Sequence, residues 1–315
     1  MSTGGGVIWL NGELVPQSAA TIPFLTPGLH YGIGAFEGIR CYATDRGPAV
    51  FRLAEHVDRL LHSVRIAGFR DFPYDAQVLR LAVKETIAAN RLEACYIRPL
   101  VWLAEGGWNL TIDGGKPHAG IAVWPWKAYL GPEALADGVR ANVSSFTRLH
   151  PNVAMTKAKI TGNYANSVLA RTDSLRLGFD EAILLDPEGY VAECTGENIF
   201  IVRRGVLETP PRAAILDGIT RQSIVTLAKD AGYEVVESRI TRDELYSADE
   251  VFVCGTAAEV IALREIDFRR IGDGRTSPVT RALQQAYHDA TEGRHPRSAE
   301  WLDYVARENV VEKAS

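Results

Sequence analysis

The stretch Met155–Ala170, MTKAKITGNYANSVLA, decides the reading of this chain. It places two lysines, Lys157 and Lys159, at the end of an extended segment, then Gly162-Asn163-Tyr164, then a pattern that reads as a helix. Alternate residues of a strand share a face, so both lysine side chains are expected on one side. A lysine before a helix says little by itself, since most such lysines are solvated. The neighbourhood on either side has to carry the reading.

On the C-terminal side, TGNYANSVLARTDSLRLGF reads as an amphipathic helix, and EAILLDPEGYVAECTGENIFIVRRGVLETP as a meander turning at Pro187-Glu188-Gly189 and Arg204-Gly205. A helix follows Leu216-Asp217-Gly218 and runs to Gly232; DEVFVCGTAAEVIAL is a strand that turns at Gly255, and SPVTRALQQAYHDATEG is the last clear helix. On the N-terminal side, GVRANVSSFTRL is a strand, and the Pro- and Gly-bearing PWKAYLGPEALADGV reads as a link between domains. Before it, VIWLNGELV is a hairpin, because Asn11-Gly12 between β-formers suits a type I′ turn. GAFEGIRCYA and GPAVFRL are short strands. Leu53, Val57, Leu60, Leu61 and Val64 keep helical spacing, as do Val78, Leu81, Val83 and Ile87 in a second helix over Asp75–Asn90. CYIRPLVWLA and AGIAVWPW are strands joined by GGWNLTIDGGK.

A chain of 315 residues suggests two domains, and 46% hydrophobic with 23% charged residues is the composition of a soluble globular protein. A net charge of -5, with Lys and Arg scattered, offers no basic field for nucleic acid or anionic lipid. The start, MSTGGGVIWL, lacks the basic and apolar regions of a secretion signal, and no stretch approaches the roughly 18–20 apolar residues of a membrane span. Cys41, Cys95, Cys194 and Cys254 lie far apart, and the histidines have no metal-ligand spacing, so neither disulfides nor a metal site is expected. The setting reads as cytoplasmic.

HYGIGAFEGIRCY, YIRPL, GNYANS, GENIF, LDGITR and GTAAEV occur in this order, and with Lys159 before Gly-Asn-Tyr they resemble the branched-chain aminotransferases over residues 7 to 305. The resemblance implies the fold type IV, or D-amino-acid-aminotransferase-like, architecture: an α+β protein with a small α/β domain and a larger β-barrel-like one. The small domain is expected over 1–128, an interdomain loop over 129–137 and the large domain over 138–315, with pyridoxal 5′-phosphate between the domains.

The resemblance also implies roles. Lys159 is the lysine that bonds the cofactor, and only it has the family's distance to Gly-Asn-Tyr. An amine in this role must lose its proton, which suits a partly buried site, and it can afterwards move the substrate's Cα proton. Glu193 stands where the family has the carboxylate of the pyridine nitrogen, which the cofactor needs as an electron sink; Glu197 fits an exposed hairpin glutamate better. Tyr164 meets the phenolic oxygen. Gly218, Ile219 and Thr220 at a helix start, Thr256 and Arg59 hold the phosphate. For substrate, Arg98 with Tyr31 and Tyr129 serves the second carboxylate of glutamate. Phe36, Trp126 and Leu110 form the apolar part, Leu110 coming from a neighbouring subunit. Tyr96 and the backbone at Thr256-Ala257 take the α-carboxylate. His30 is read as a satisfied polar residue and Cys194 as a small packing residue.

The implied reaction is ping-pong exchange of an amino group between leucine, isoleucine or valine and 2-oxoglutarate. The partners are small amino and 2-oxo acids, and a homodimer is the minimal unit. Transaminases of the same fold acting on D-amino acids or R-amines, the aminodeoxychorismate lyase, and a non-catalytic pyridoxal-phosphate binder are the alternatives. Trp108-Asn109 and Ile261-Ala262 depart from the family pattern near its substrate loops, which makes them candidates for setting substrate range.

Overall fold

The computed structural model describes residues 6–106, 108–126 and 132–306. The chain forms two compact units, 1–126 with 290–315, and 127–289.

In the first unit, β1 (Val7–Leu10) and β2 (Glu13–Pro16) form the expected hairpin. Asn11 and Gly12 have φ of 49° and 101°, the two positive values a type I′ turn requires. There follow α1 (Pro27–Tyr31), β3 (Gly34–Phe36), β4 (Ile39–Thr44), β5 (Gly47–Phe51), α2 (Leu53–Ile66), α3 (Ala76–Ala89), β6 (Cys95–Glu105) and β7 (Lys116–Trp124). Asp75 caps α3 by accepting from the Val78 amide at 2.9 Å, which satisfies a donor that the helix itself leaves unpaired. The inward face of α3 carries Val83 and Ile87 as expected, together with Leu79 and Ala82, whereas Val78 and Leu81, also expected inward, are exposed.

The second unit holds α4 (Pro132–Asp137), β8 (Val139–Val143), α5 (Tyr164–Arg176), β9 (Glu181–Leu185), β10 (Val191–Cys194), β11 (Asn198–Arg203), β12 (Val206–Thr209), α6 (Ile219–Asp230), β13 (Val235–Glu237), α7 (Arg242–Ser247), β14 (Glu250–Gly255), β15 (Glu259–Ile266), β16 (Arg269–Arg270) and most of α8 (Pro278–Thr291). Helix α4 lies inside the segment 129–137 read as a loop. After α8 come α9 (Ser298–Trp301) and β17 (Leu302–Tyr304). Residues 290–306, expected with the large domain, belong to the first unit: β17 pairs antiparallel with β5, Leu302 opposite Phe51.

The first unit's sheet runs β17-β5-β4-β6-β7-β1-β2, with β3 also on β6. Its core includes Ile39, Leu53, Leu60, Leu79, Ile87, Ile97 and Ile121, all fully buried. In the second unit, β10-β9-β8-β15-β14-β11 form a ring that closes because β10 also pairs with β11. Its apolar cluster includes Ile183, Ile199, Ile201, Val253, Ile261 and Leu263. Each such side chain contributes about 1.5–3 kcal/mol by leaving water. The same ring sets functional residues side by side, since Glu193 pairs with Asn198 and Asn198 with Cys254, one residue before Gly255.

Ile261 and Ala262 lie in mid-strand of β15, opposite Val253 and Phe252, at 1% and 3% exposure. They fill the core of the second unit on a strand, and their apolar character serves the packing of β15.

Candidate active site

Lys159 lies in an irregular segment, not on a strand, and a single 3-10 turn, Thr161–Asn163, leads from it into α5. That turn brings residue 164 back over residue 159. The Lys159 Nζ donates to the Tyr164 hydroxyl at 2.5 Å and lies 4.9 Å from the centre of its ring. The pairing ties amine and phenol into one unit. Lys157 has different partners: its ammonium donates to the carbonyls of Arg212 and of Ile215, the latter at 3.3 Å. The two lysines therefore serve separate places.

Glu193, at the end of β10, is 6% exposed. Arg148 Nε approaches its Oε1 to 2.5 Å as an ion pair, both side chains being largely buried. Asn198 Nδ2 donates to Oε2 at 3.1 Å, and the Leu216 amide reaches Oε2 at 3.2 Å and Oε1 at 3.4 Å. Burial pushes the Glu193 carboxyl above its ordinary value, while Arg148, the Leu216 amide and the charge of Lys159 pull against it. A buried carboxylate so surrounded by donors is built to stay near a positive group. Arg148 was not among the sequence candidates. It is a lone arginine in FTRLH, and nothing in its spacing announces a partner 45 residues away. Asn198 stands in the quoted GENIF but received no role.

Glu197 is buried, at 4% exposure, and is not the exposed hairpin residue expected. The turn at 195–197 folds inward, and Gly255 crosses close by, so that a Cβ there would lie 3.2 Å from the Gly196 carbonyl. Burial, then the charge of Glu181, pushes the Glu197 carboxyl up to about 8. Glu181 itself accepts from Arg171, Thr195 and the Ala182 amide. Cys194 packs here with its thiol buried, as read from the sequence.

Gly218 is the N-cap of α6 and no side chain caps that helix. The first-turn N–H groups of a helix, with its dipole, favour an anion. A Cβ at 218 would overlap the Asn198 amide, so glycine is what lets the helix start so near the Glu193 cluster. Thr220 is buried in that first turn, and Thr256 and Ala257 are half-buried in the turn between β14 and β15.

In the first unit, four substrate candidates come together. The Arg98 guanidinium lies 4.8 Å from the Phe36 ring centre and 5.4 Å from that of Tyr96, and its Nη2 donates to the Tyr96 hydroxyl at 3.3 Å. The Tyr96 ring is 4.7 Å from that of Trp126. A Cβ at Gly38 would overlap the Tyr96 hydroxyl, which explains the glycine in FEGIR. Tyr31 is separate from this group: it ends α1, its ring packs against Trp108 at 5.9 Å, and its hydroxyl donates to the Trp108 carbonyl at 3.5 Å. The His30 ring also packs against Trp108, at 5.1 Å, and bonds the Phe24 carbonyl through Nε2 at 2.8 Å. Leu110 is 82% exposed at a positive φ of 56°. Arg59 forks onto Glu37 at 2.7 and 2.8 Å, and His56 Nδ1 joins the same carboxyl at 2.8 Å. Burial would raise the Glu37 carboxyl, but Arg59 and His56 outweigh it and hold it well below the usual range. Neither Glu37 nor His56 was a sequence candidate, although Glu37 sits within the quoted FEGIR. Tyr129 lies outside the described residues.

An amine paired with a phenol, a buried carboxylate beside an arginine and an uncapped helix start at a glycine form a donor set that fits pyridoxal phosphate. Residues 34–266 match the family Amino-transferase class IV, and fold and site together define a protein of that class. A branched-chain-amino-acid aminotransferase of Pseudomonas aeruginosa is 50% identical over 305 residues, covering 97% of this chain and 99% of its own. One of Escherichia coli is 44% identical over 302 residues, covering 95% and 97%. The crystal structure of an Escherichia coli branched-chain amino acid aminotransferase superposes with a TM-score of 0.93 at 43% identity, over 96% of this chain and 100% of that one. The branched-chain amino acid aminotransferase of Thermobaculum terrenum in its PLP-form does so with a TM-score of 0.89 at 32% identity, over 96% and 99%. The chain belongs to the branched-chain-amino-acid aminotransferase family.

Proposed function

We propose that this protein transfers amino groups between branched-chain L-amino acids and 2-oxoglutarate, using pyridoxal phosphate in a ping-pong cycle. The observation that carries the proposal is the Lys159–Tyr164 pair at 2.5 Å, in the same unit as a buried Glu193 ringed by donors. When bound, the cofactor supplies an aldehyde for amine exchange and a protonated ring that draws electrons from the substrate's Cα.

Lys159 would hold the cofactor, and its amine would move the proton at the substrate's Cα. Tyr164 donates to the cofactor's phenolic oxygen. Glu193 keeps the ring nitrogen protonated, and Arg148 opposes the tendency of burial to neutralise that carboxyl. Gly218, Ile219 and Thr220 take the phosphate at the start of α6, with Thr256 and Arg59 as further donors. Arg98, lying over Phe36 and Tyr96, serves either a second carboxylate or an apolar branch. Tyr31, Trp126 and Leu110 would complete the side-chain pocket, while Tyr96 and the Thr256-Ala257 amides would take the α-carboxylate.

We propose a homodimer in which Leu110 reaches the neighbour's site. Phe24, Leu25, Leu29 and Leu110, between 66% and 82% exposed, give the first unit apolar surface for such a contact. The four cysteines carry free thiols, as in a reducing compartment, and cell fractionation would test a cytoplasmic location. Among the described residues no helix is long and apolar enough to cross a membrane.

The test is a half-reaction. Leucine added alone should bleach the visible band of the bound cofactor, and 2-oxoglutarate should then restore it. A band indifferent to leucine, isoleucine and valine would exclude the proposal, as would response to D-amino acids alone.

A further inference from the structure

Lys157 is not the covalent lysine, yet its ammonium is half-buried and engaged. It donates to the carbonyls of Arg212 and Ile215, the latter at 3.3 Å. The adjacent Thr156, 3% exposed, donates through Oγ1 to the Ala213 carbonyl at 3.4 Å. Two consecutive side chains thus tie three of the four carbonyls in 212–215, a segment that contains only the single 3-10 turn Arg212–Ala214. Such a turn leaves most of its carbonyls without internal partners, and an ammonium brings three donors.

The next residue matters for chemistry. The Leu216 amide donates to both oxygens of Glu193, and the Leu216 carbonyl accepts from Asn198 Nδ2 at 3.2 Å. We propose that Lys157 is a positioning residue: by holding the 212–215 segment it keeps the Leu216 amide on Glu193, and so keeps that carboxylate placed and ionised. The inference rests on the reading of Glu193 as the partner of the cofactor's ring nitrogen. The local charges agree with it. Burial lowers the Lys157 ammonium below its ordinary value, with Asp217 and Glu193 supporting the charge and Arg212 and Arg221 opposing it. The positive charge of Lys157 therefore also favours an ionised Glu193.

The experiment compares wild type, Lys157→Met, Lys157→Arg, Thr156→Val and Glu193→Gln. Two quantities are read: the dissociation constant of pyridoxal phosphate from the apoprotein, by quenching of tryptophan fluorescence, and the pH midpoint of the bound cofactor's visible band. Lys157→Met keeps the stem and removes the charge, and should weaken binding about tenfold and shift the midpoint. Lys157→Arg should recover most of both. Thr156→Val should move them in the same direction by only about two- to threefold, which keeps a test in hand if Lys157→Met folds poorly. In a Glu193→Gln background the Lys157→Met effect should shrink to less than about twofold, because the route through Glu193 is gone. Lys157→Met with wild-type affinity and midpoint overturns the proposal. So does an effect equally large in the Glu193→Gln background. If Glu193→Gln itself moves neither quantity, the assignment of Glu193 is what fails, and the positioning role falls with it.

Discussion

Replacing Glu193 by glutamine should damage rate and stability by separate routes. Wild-type Glu193 is surrounded by donors: Arg148 at 2.5 Å, Asn198 at 3.1 Å and the Leu216 amide at 3.2 and 3.4 Å. Glutamine keeps one acceptor oxygen and turns the other position into an NH2, a donor facing donors. It also removes the negative charge from the ring nitrogen. A hydrogen bond to a charged group is worth about 1.5–3 kcal/mol, so Cα-proton transfer should slow roughly ten- to hundredfold. Arg148 would meanwhile remain buried without its counter-charge. Breaking a buried pair on one side costs about 3–5 kcal/mol, so the apoprotein should also unfold at a clearly lower temperature. Adding Arg148→Met removes the stranded cation. The double variant should regain much of the lost stability and none of the lost rate. Stopped-flow absorbance of the half-reaction with leucine reads the rate, and thermal unfolding of the apoprotein reads the stability. Full half-reaction rate in Glu193→Gln would remove Glu193 from the proton transfer, and so would recovery of rate in the double variant.

Arg98→Leu should reduce kcat/KM for glutamate and 2-oxoglutarate about ten- to hundredfold more than for leucine, because only the former bring a second carboxylate. Equal losses in steady-state assays would make Arg98 structural. Trp108→Gly removes the ring that packs against Tyr31 and His30, and should reorder a panel of amino donors, aromatic ones most; shifts should stay within about 1–3 kcal/mol. An unchanged rank order would assign Trp108 to loop packing alone. Glu197, raised from 4.5 to about 8, contributes stability that is full below the lower value and lost as pH rises through the upper one. Thermal scans of the apoprotein should thus fall across that window in wild type and fall less in Glu197→Gln; parallel declines would contradict the raised carboxyl.

Local chemistry made much of this fold legible. Asn11-Gly12 and Arg204-Gly205 have the positive φ values their hairpins need, and the sequence states them outright. Asp75, where α3 was expected to begin, is its N-cap through a local bond from the Val78 amide. What the sequence hid depends on long-range packing. Residues 302–304 return to pair with β5, and no short-range pattern encodes a partner about 250 residues earlier. Val83 and Ile87 of the expected face of α3 are buried, but Val78 was taken for Leu79 because the two are equally apolar, and only the sheet beneath chooses between them. The site follows the same division. Lys159 and Tyr164 lie five residues apart, so their contact is local, and the motif that joins them was visible in the sequence while their roles came from the family resemblance. The Arg148–Glu193 pair and the carbonyls held by Lys157 arise from tertiary closure, so they carried no sequence signal. Glu197 looked exposed because it follows a glycine in a hairpin, but the close crossing of Gly255 turns it inward.

Covalent attachment of pyridoxal phosphate at Lys159 is the claim on which the rest depends, and one mapping experiment tests it. Holoprotein is reduced with borohydride to fix the lysine–cofactor bond, digested, and the labelled peptide sequenced by tandem mass spectrometry. The phosphopyridoxyl mass should sit on Lys159 and not on Lys157. A label on Lys157, or on neither lysine, would contradict the claim.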